Sequence, residues 1–198
     1  MSDNGKDDLA DLLRHVRVAA APFRIQLRTL YEKYLPVTAG EIADYIPELA
    51  KASADTFGIA VVHTDTGEVF EAGACDELFT TQSVSKAFVY GLVLEDCGRE
   101  QVLSRVGVEP TGDAFNSIIK LDGDSHRPHN PMVNAGAIAT AALVKGQDPA
   151  EKLNRMLDMF GRYIGRTPTV DAAVYTSEKA SGHRNRAIAH LLLNFGML

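Results

Sequence analysis

The sequence predicts an α/β fold, and two adjacent patterns carry that prediction. Phe57–Thr64 is apolar and rich in β-branched residues, as expected of a buried strand, and an Asp-Thr-Gly turn follows it. The next stretch, Glu68–Gly73, alternates polar and apolar residues, so the two stretches indicate a β-hairpin. Residues 80–98 (TTQSVSKAFVYGLVLEDCG) then run apolar and unbroken to a glycine stop, which indicates a helix with a threonine at its N-cap.

The composition is that of a globular protein and excludes several classes of function. Of the 198 residues, 45% are hydrophobic and 23% are charged, and the net charge of −6 argues against a nucleic-acid partner. No apolar run is long enough to span a membrane, and the acidic N-terminus lacks a signal-peptide pattern. The two cysteines, Cys75 and Cys97, fit reduced thiols better than a disulfide framework, so we expect a cytoplasmic protein.

Helical patterns lie on both sides of the hairpin. Residues 8–34 have a helical period that Pro22 divides, and residues 41–52 predict a short helix interrupted at Pro47. C-terminal to residue 98, helices are predicted over Glu100–Val106, Asn134–Lys145, Asp148–Ile164 and much of the stretch from Tyr175 onward, where Ser177 is a candidate cap. Within the third of these, one apolar face is formed by Leu153, Met156, Leu157 and Phe160.

The loop between residues 107 and 132 does not predict a metal site. Asp122 and Asp124 resemble the start of a calcium loop, but the twelfth position is Val133 where a glutamate is required. His126 and His129 lie three residues apart without further convincing ligands nearby, so a zinc site is disfavoured.

Ser83 and Lys86 form the candidate catalytic pair. At positions i and i+3 of the predicted helix, the two side chains share a face. A serine becomes a nucleophile when a base takes its proton, and a lysine can be that base only when it is neutral. Apolar neighbours and the positive end of the helix dipole would both lower the lysine pKa. The alternative is a capped core helix with a solvated lysine, because Ser-x-x-Lys occurs by chance about once in 200 residues.

Four further polar side chains each have an ordinary structural interpretation. Tyr45 is typical of a half-buried packing residue, and Asn134 could either cap a helix or direct its amide at a ligand. Glu178 and Asn185 lie two turns apart and share a face if the helix continues through Gly182. A carboxylate and an amide on one face suit a ligand with an ammonium and a carboxylate group. The alternative for the glutamate is a first-turn residue that interacts with the helix dipole.

Five stretches together resemble the serine-dependent glutaminases, which share the β-lactamase and penicillin-binding-protein fold. The resemblance runs from about Ile42 to the end of the chain and implies an antiparallel sheet flanked by helices, with a helical subdomain. It also implies the N-terminal portion of a catalytic domain over residues 41–198, while the helical pattern of residues 8–34 indicates an N-terminal helical extension over residues 1–40. The stretches are ADYIPELA (43–50), TQSVSK (81–86), GVEPTGDAFNS (107–117), PHNPMVNAGAI (128–138) and SEKASGHRNRAIA (177–189).

The resemblance implies a reaction and a role for each candidate residue. Ser83 is the expected nucleophile and part of the substrate site, Lys86 is its base, and Gln82 lines the pocket. The α-amino and α-carboxylate groups of L-glutamine are expected to contact Tyr45, Asn134, Glu178 and Asn185. The implied reaction hydrolyses the side-chain amide to L-glutamate and ammonia, without metal or organic cofactor, in a homo-oligomer of two or four chains.

The family's chains continue beyond the point that corresponds to Leu198, and that part carries later strands of the sheet and two tyrosines of the site. We therefore expect a C-terminally truncated glutaminase that by itself is aggregation-prone or loosely packed and has little or no glutaminase activity. An inactive fragment that acts as an interaction or regulatory partner is the alternative from another class. A penicillin-recognising acyltransferase is the alternative enzyme, and the pair Glu178 and Asn185 argues against it.

Overall fold

The structure is a computed structural model and describes residues 21–110, 112 and 126–198. Within those ranges it contains one two-stranded antiparallel sheet and seven α-helices, which confirms the α/β prediction. The described residues form two compact units, the first from 21–44 and Leu49–Phe79 and the second from Tyr45–Glu48 and Thr80–Leu198. No described helix has both the length and the apolar character needed to cross a membrane.

The first unit contains the predicted hairpin. Strand β1 (Gly58–Val62) pairs with β2 (Val69–Gly73), and Ile59 lies opposite Ala72 in the antiparallel register. The turn closes where the Gly67 N–H donates to the His63 carbonyl at 2.8 Å, with the Gly67 backbone at a φ of +69°. That left-handed conformation favours glycine, so the turn residue and the two strand patterns specify the hairpin locally.

Helix α1, described over residues 21–34, supplies the core of this unit. Its Leu27 and the β2 residue Phe70 are buried against each other, and Ile59 and Val61 pack beside them. The prediction of a buried first strand is wrong, because its side chains alternate between half-buried and exposed and Val62 is 57% exposed. The cause is that apolar side chains cover one face of β1, whereas a fully buried strand needs cover on both.

Two predictions for the N-terminal region have different outcomes. The helix predicted over residues 41–52 is wrong, since only Leu49–Lys51 forms a single 3₁₀ turn. Pro47 lacks the N–H that would continue a helix through this segment. The part of the first predicted helix that precedes residue 21 lies outside the described residues.

The second unit contains the remaining helices. Those from α2 to α5 were predicted with shifted bounds, whereas the helical stretch predicted from Tyr175 onward forms two helices. The long predicted helix begins later than expected, because Gln82–Val84 form a 3₁₀ turn before it. The threonine cap is also wrong, since Val84 occupies the N-cap position and Thr81 makes no side-chain capping bond. The helices are α2 (Ser85–Cys97), α3 (Arg99–Arg105), α4 (Asn134–Leu143), α5 (Pro149–Ile164), α6 (Ala172–Ser181) and α7 (His183–Asn194).

Helix α4 packs against both α2 and α7, and it carries no charged side chain. Two apolar clusters hold this arrangement, one around α2 and one between α4 and α7. The predicted face of α5 is correct for Met156 and Phe160, but Leu153 is 42% exposed and Met159 is the buried residue. The buried members are Val89, Leu92, Val93, Val102, Val144 and Met159 in the first cluster, and Val106, Ala135, Ala139, Ile188 and Leu192 in the second.

Gly136 in α4 allows the preceding loop to lie directly against the helix. A β-carbon at this position would be 2.0 Å from the Asn130 carbonyl oxygen, so backbone would have to move. We therefore expect Gly136→Ala to lower the free energy of unfolding by about 1–3 kcal/mol, as other overpacking substitutions do. Urea unfolding measures this loss. The control variant is Gly91→Ala in α2, where nothing lies within 4 Å of the added carbon. The control should be neutral or stabilising, because alanine is the better helix former. Equal effects of the two substitutions would contradict the prediction.

Candidate active site

Ser83 lies in the 3₁₀ turn that precedes α2, so its predicted position in the first turn of the α-helix is wrong. The preceding residue, Gln82, has a φ of +41°, which is uncommon for a residue other than glycine. The Ser85 hydroxyl holds this turn by donating to the Gln82 carbonyl at 2.7 Å. Strained backbone of this kind clusters at functional sites, and here it accompanies an exposed serine hydroxyl at the start of a helix.

Lys86 is the second residue of α2, and its ammonium nitrogen points into a polar cluster. The nitrogen donates to Asn134 Oδ1 at 2.7 Å and to the Met132 carbonyl at 3.2 Å. Burial lowers the pKa of Lys86 below its ordinary value of 10.5. The interpretation as a solvated lysine on a core helix therefore does not hold, and a larger neutral fraction suits the predicted role as a base.

The Asn134 amide connects Lys86 to a third helix. Val133, not Asn134, occupies the N-cap of α4, so the capping interpretation of Asn134 is wrong. Its Oδ1 accepts from Lys86, and its Nδ2 donates to Asn185 Oδ1 at 3.0 Å. Three residues separated by 48 and 51 positions thus form one hydrogen-bond chain across α2, α4 and α7.

Tyr45 reaches the residue that precedes Ser83. Its side chain is 60% exposed, so the packing interpretation is wrong, and its hydroxyl donates to Gln82 Oε1 at 3.3 Å. The other end of the Gln82 amide donates to Thr80 Oγ1 at 3.0 Å. The Gln82 side chain is therefore fixed from both ends, next to the exposed Ser83 hydroxyl.

Glu178 is an exposed residue in the interior of α6. The helix begins at Ala172, so the first-turn interpretation of the glutamate is wrong. The condition for Glu178 and Asn185 to share one helical face is not met, because α6 ends at Ser181 and α7 begins at His183. The structure brings together Lys86, Asn134 and Asn185, and it pairs Tyr45 with Gln82. It gives the Glu178 side chain no such contact among the described residues.

Two contacts of the site were not predicted. The Met132 carbonyl is a backbone group, and the sequence signal nearest to it is the Asn-Pro turn that precedes Asn134. Ser177, predicted as a helix cap, instead accepts a hydrogen bond from the Glu48 N–H at 3.1 Å, and Asp171 is the cap of α6. The Ser177 contact ties the Tyr45–Glu48 segment to the helix that carries Glu178.

Metal-binding side chains do not cluster in the described part of the chain. No group of three or more His, Cys, Asp or Glu residues there could hold an ion. His126 stacks on the Phe195 ring with 4.0 Å between the ring centres, and it has a packing role. The two acidic residues of the rejected calcium loop, Asp122 and Asp124, lie outside the described residues.

Solved structures share this architecture. The native form of Mglu has a TM-score of 0.82 and 41% identity, covering 89% of this chain and 43% of its own. A probable glutaminase named ybaS has a TM-score of 0.84 and 35% identity, covering 88% and 56%. A probable glutaminase from Bacillus subtilis has a TM-score of 0.78 and 37% identity, covering 88% and 54%. These likenesses confirm the predicted β-lactamase-like fold class.

Sequence comparisons identify the family within that class. The Glutaminase family profile matches residues 40–198. A glutaminase of Microcystis aeruginosa is 59% identical over 177 residues, which are 89% of this chain and 52% of the relative. A glutaminase of Trichormus variabilis is 56% identical over 183 residues, which are 92% and 54% of the two chains. The chain belongs to the glutaminase family, and it spans about half the length of the curated relatives it matches.

Proposed function

We propose that this chain carries the nucleophile and base of an enzyme that hydrolyses the side-chain amide of L-glutamine to L-glutamate and ammonia. The observation that supports this most directly is the hydrogen-bond chain from Lys86 through Asn134 to Asn185. Lys86 lies three residues after Ser83, whose side chain is exposed. The family supports the substrate class. One solved form of the relative Mglu is described as its glutamate form, which agrees with the expected product.

The proposed chemistry has two halves. In the first, Lys86 takes the hydroxyl proton as Ser83 Oγ attacks the amide carbon. The proton then passes to the leaving nitrogen, ammonia departs, and a glutamyl ester remains on Ser83. In the second, Lys86 takes a proton from water as the water attacks the ester carbon, and it returns the proton to Ser83 Oγ as L-glutamate leaves.

We assign the roles in substrate binding from the charge and hydrogen-bonding capacity of each side chain. A carboxylate accepts hydrogen bonds from an ammonium group, so Glu178 is the proposed partner of the substrate amino group. The proposed donors to the substrate carboxylate are the amides of Asn134 and Asn185 and the hydroxyl of Tyr45. Gln82, held from two sides, is the proposed wall of the pocket beside the nucleophile.

The decisive experiment measures ammonia release and L-glutamine binding with the same protein. Because the chain spans about half of its relatives, the assay should use it alone and also joined to the part of the Microcystis aeruginosa relative that it does not match. We call the joined form the extended chain. Ser83-dependent ammonia release by either form supports the proposal. A folded extended chain that neither binds L-glutamine nor releases ammonia would contradict it and favour a non-catalytic partner.

Replacing Glu178 with glutamine should weaken binding of L-glutamine by about 2–5 kcal/mol, the cost of removing one partner of a charge pair that the bound substrate buries. The carboxamide keeps the size of the side chain but loses the charge that attracts the substrate ammonium. Isothermal titration of the extended chain measures the loss, and Glu100→Gln, an exposed change in α3, is the matched control. Unchanged affinity with reduced stability would assign Glu178 a structural role instead.

We also propose a cytoplasmic homo-oligomer of two or four chains. Cys75 and Cys97 are both free thiols, which agrees with a reducing compartment. Light scattering coupled to size-exclusion chromatography distinguishes a monomer from a dimer or tetramer.

A further inference from the structure

Helix α6 contains three serine and threonine hydroxyls, and one of them is used differently from the other two. Thr176 Oγ1 donates to the Ala172 carbonyl at 2.7 Å, and Ser181 Oγ donates to the Ser177 carbonyl at 2.9 Å. Both bonds return to the helix backbone four residues back, as hydroxyls within helices commonly do. Ser177 Oγ instead accepts the Glu48 backbone N–H at 3.1 Å, from a segment 129 residues away in the sequence. Ser177 therefore holds another part of the chain against α6.

The segment that Ser177 holds is short and stiff. It comprises Tyr45–Glu48 and belongs to the second unit. Pro47 fixes its own φ near about −65° and restricts the backbone of Ile46, so few free torsions separate Tyr45 from the anchored Glu48. The Ile46 side chain is only 3% exposed, which also anchors the middle of the segment. A displacement of the Glu48 backbone would therefore be passed on to Tyr45.

Tyr45 depends on this support because its own side chain is weakly held. The side chain is 60% exposed, and its hydroxyl donates to Gln82 Oε1 at 3.3 Å. A hydrogen bond between two oxygens is typically about 2.5–3.0 Å long, so this contact is a weak one. A side chain that becomes ordered only when a ligand binds lowers the affinity for that ligand. The readiness of Tyr45 to bind therefore depends on how its backbone is held.

The serine that holds this segment is also the neighbour of Glu178 in α6. Under the proposed function, Tyr45 contacts the α-carboxylate of L-glutamine and Glu178 contacts its α-amino group. Those two groups are attached to one carbon atom, so the two side chains must keep a fixed separation to bind both groups at once. The bond from the Glu48 N–H to Ser177 Oγ joins the segment of the first residue to the helix of the second.

We propose that Ser177 is a positioning residue that sets the separation between Tyr45 and Glu178, the two side chains proposed to contact the substituents of the substrate α-carbon. This inference rests on the proposed function and adds a residue that acts through its neighbours. The α-carbon is not the atom at which the amide reacts. Loss of the Ser177 hydroxyl should therefore raise KM for L-glutamine more than it lowers kcat.

The first measurement follows Tyr45 without any substrate. 3-Fluorotyrosine is incorporated into the chain and into the extended chain, and Tyr45→Phe identifies one of the six tyrosine resonances by ¹⁹F NMR. Ser177→Ala should move that resonance toward its chemical shift in urea, because the ring samples more orientations. Ser177→Thr keeps a hydroxyl acceptor and should restore the parent position. Ser181→Ala removes a hydroxyl whose bond lies within α6, so it should leave the resonance unchanged.

The second measurement determines whether Ser177 acts through Tyr45. In the extended chain, Ser177→Ala should raise KM for L-glutamine by about 3–10-fold, the factor that one hydrogen bond contributes to an equilibrium. It should change kcat by less than about twofold, and Ser177→Thr should return KM to near the parent value. In the background of Tyr45→Phe, the same alanine substitution should add little, because the hydroxyl whose position it fixes is already absent.

The outcomes separate this inference from the proposed function. An unchanged Tyr45 resonance in Ser177→Ala would overturn the positioning role, whether or not the protein releases ammonia. Additive effects of Ser177→Ala and Tyr45→Phe on KM would overturn it too, because the serine would then act independently of the tyrosine. The other five tyrosine resonances report whether a variant still folds. A shifted Tyr45 resonance in a folded extended chain that neither binds nor hydrolyses L-glutamine would reduce Ser177 to a structural role and contradict the proposed function as well.

Discussion

Replacing Ser83 with alanine is expected to lower the rate of ammonia release from L-glutamine by about 10⁴-fold or more, as removal of other serine nucleophiles does. Without the hydroxyl oxygen, no ester can form, and the remaining groups can only bind and polarise the substrate. The exposed position of Ser83 in the 3₁₀ turn means that the lost hydroxyl leaves no cavity in the core. The measurement is a steady-state assay of the extended chain.

The matched control is Ser104→Ala, which removes another exposed serine hydroxyl, in α3, and should keep activity near that of the parent chain. Treatment with a diazoketone analogue of glutamine, followed by mass spectrometry, adds an independent readout. The covalently attached analogue should appear on the peptide that contains Ser83 and should be absent from the alanine variant. A Ser83→Ala protein with a tenth of the original activity would refute the serine mechanism.

Lys86→Arg is expected to be nearly as damaging as the loss of the nucleophile. Arginine stays protonated at all accessible pH values, so it cannot take the proton from Ser83 even if it keeps the contact with Asn134. Lys86→Ala should show the same loss because the base is absent. Lys145→Arg, at an exposed position after α4, is the control for the same chemical change. Full activity of the arginine variant would require a different base.

The pH dependence follows from the direction of the Lys86 pKa shift. Because burial lowers this pKa below 10.5, the neutral fraction grows as the pH rises through the folded-state value. The acid limb of kcat/KM should therefore have its midpoint below 10.5 and should be absent from the residual activity of Lys86→Ala. The unfolded chain binds this proton more tightly, so the contribution of Lys86 to stability should increase with pH between the folded-state pKa and 10.5. Urea unfolding at several pH values in this range measures the rise in stability, and Lys86→Met, which lacks the titrating group, is the control.

The sequence predicted those parts of the fold that neighbouring residues determine. The hairpin is specified by two strand patterns and a glycine turn, and α5 by Asp148, whose side chain accepts from the Glu151 N–H at 2.8 Å. The break between α6 and α7 was not predicted, because a glycine within a helical pattern is compatible with either outcome. The left-handed Gln82 was also missed, since glutamine has no preference for that conformation.

The same distinction between local and long-range relations applies to the site residues. Ser83 and Lys86 could be proposed from their spacing, because three residues along the chain is a local relation. The contacts of Lys86 with Asn134 and of Asn134 with Asn185 depend on how α4 packs between two other helices. That packing follows from small and apolar side chains spread over a hundred residues, which no single stretch encodes. The family resemblance supplied a role for each of these residues but not their contacts with one another, which follow from the helix packing.

The hydrogen-bond chain through α4 can exist only while the three helices keep their native side-chain packing. A compact state that keeps its helices but loses fixed side-chain packing retains far-ultraviolet circular dichroism. It cannot retain bonds of 2.7 and 3.0 Å between side chains of three separate helices. In such a state the lysine returns to water and becomes an ordinary ammonium group. The proposed base would thus lose its lowered pKa before the protein loses its secondary structure.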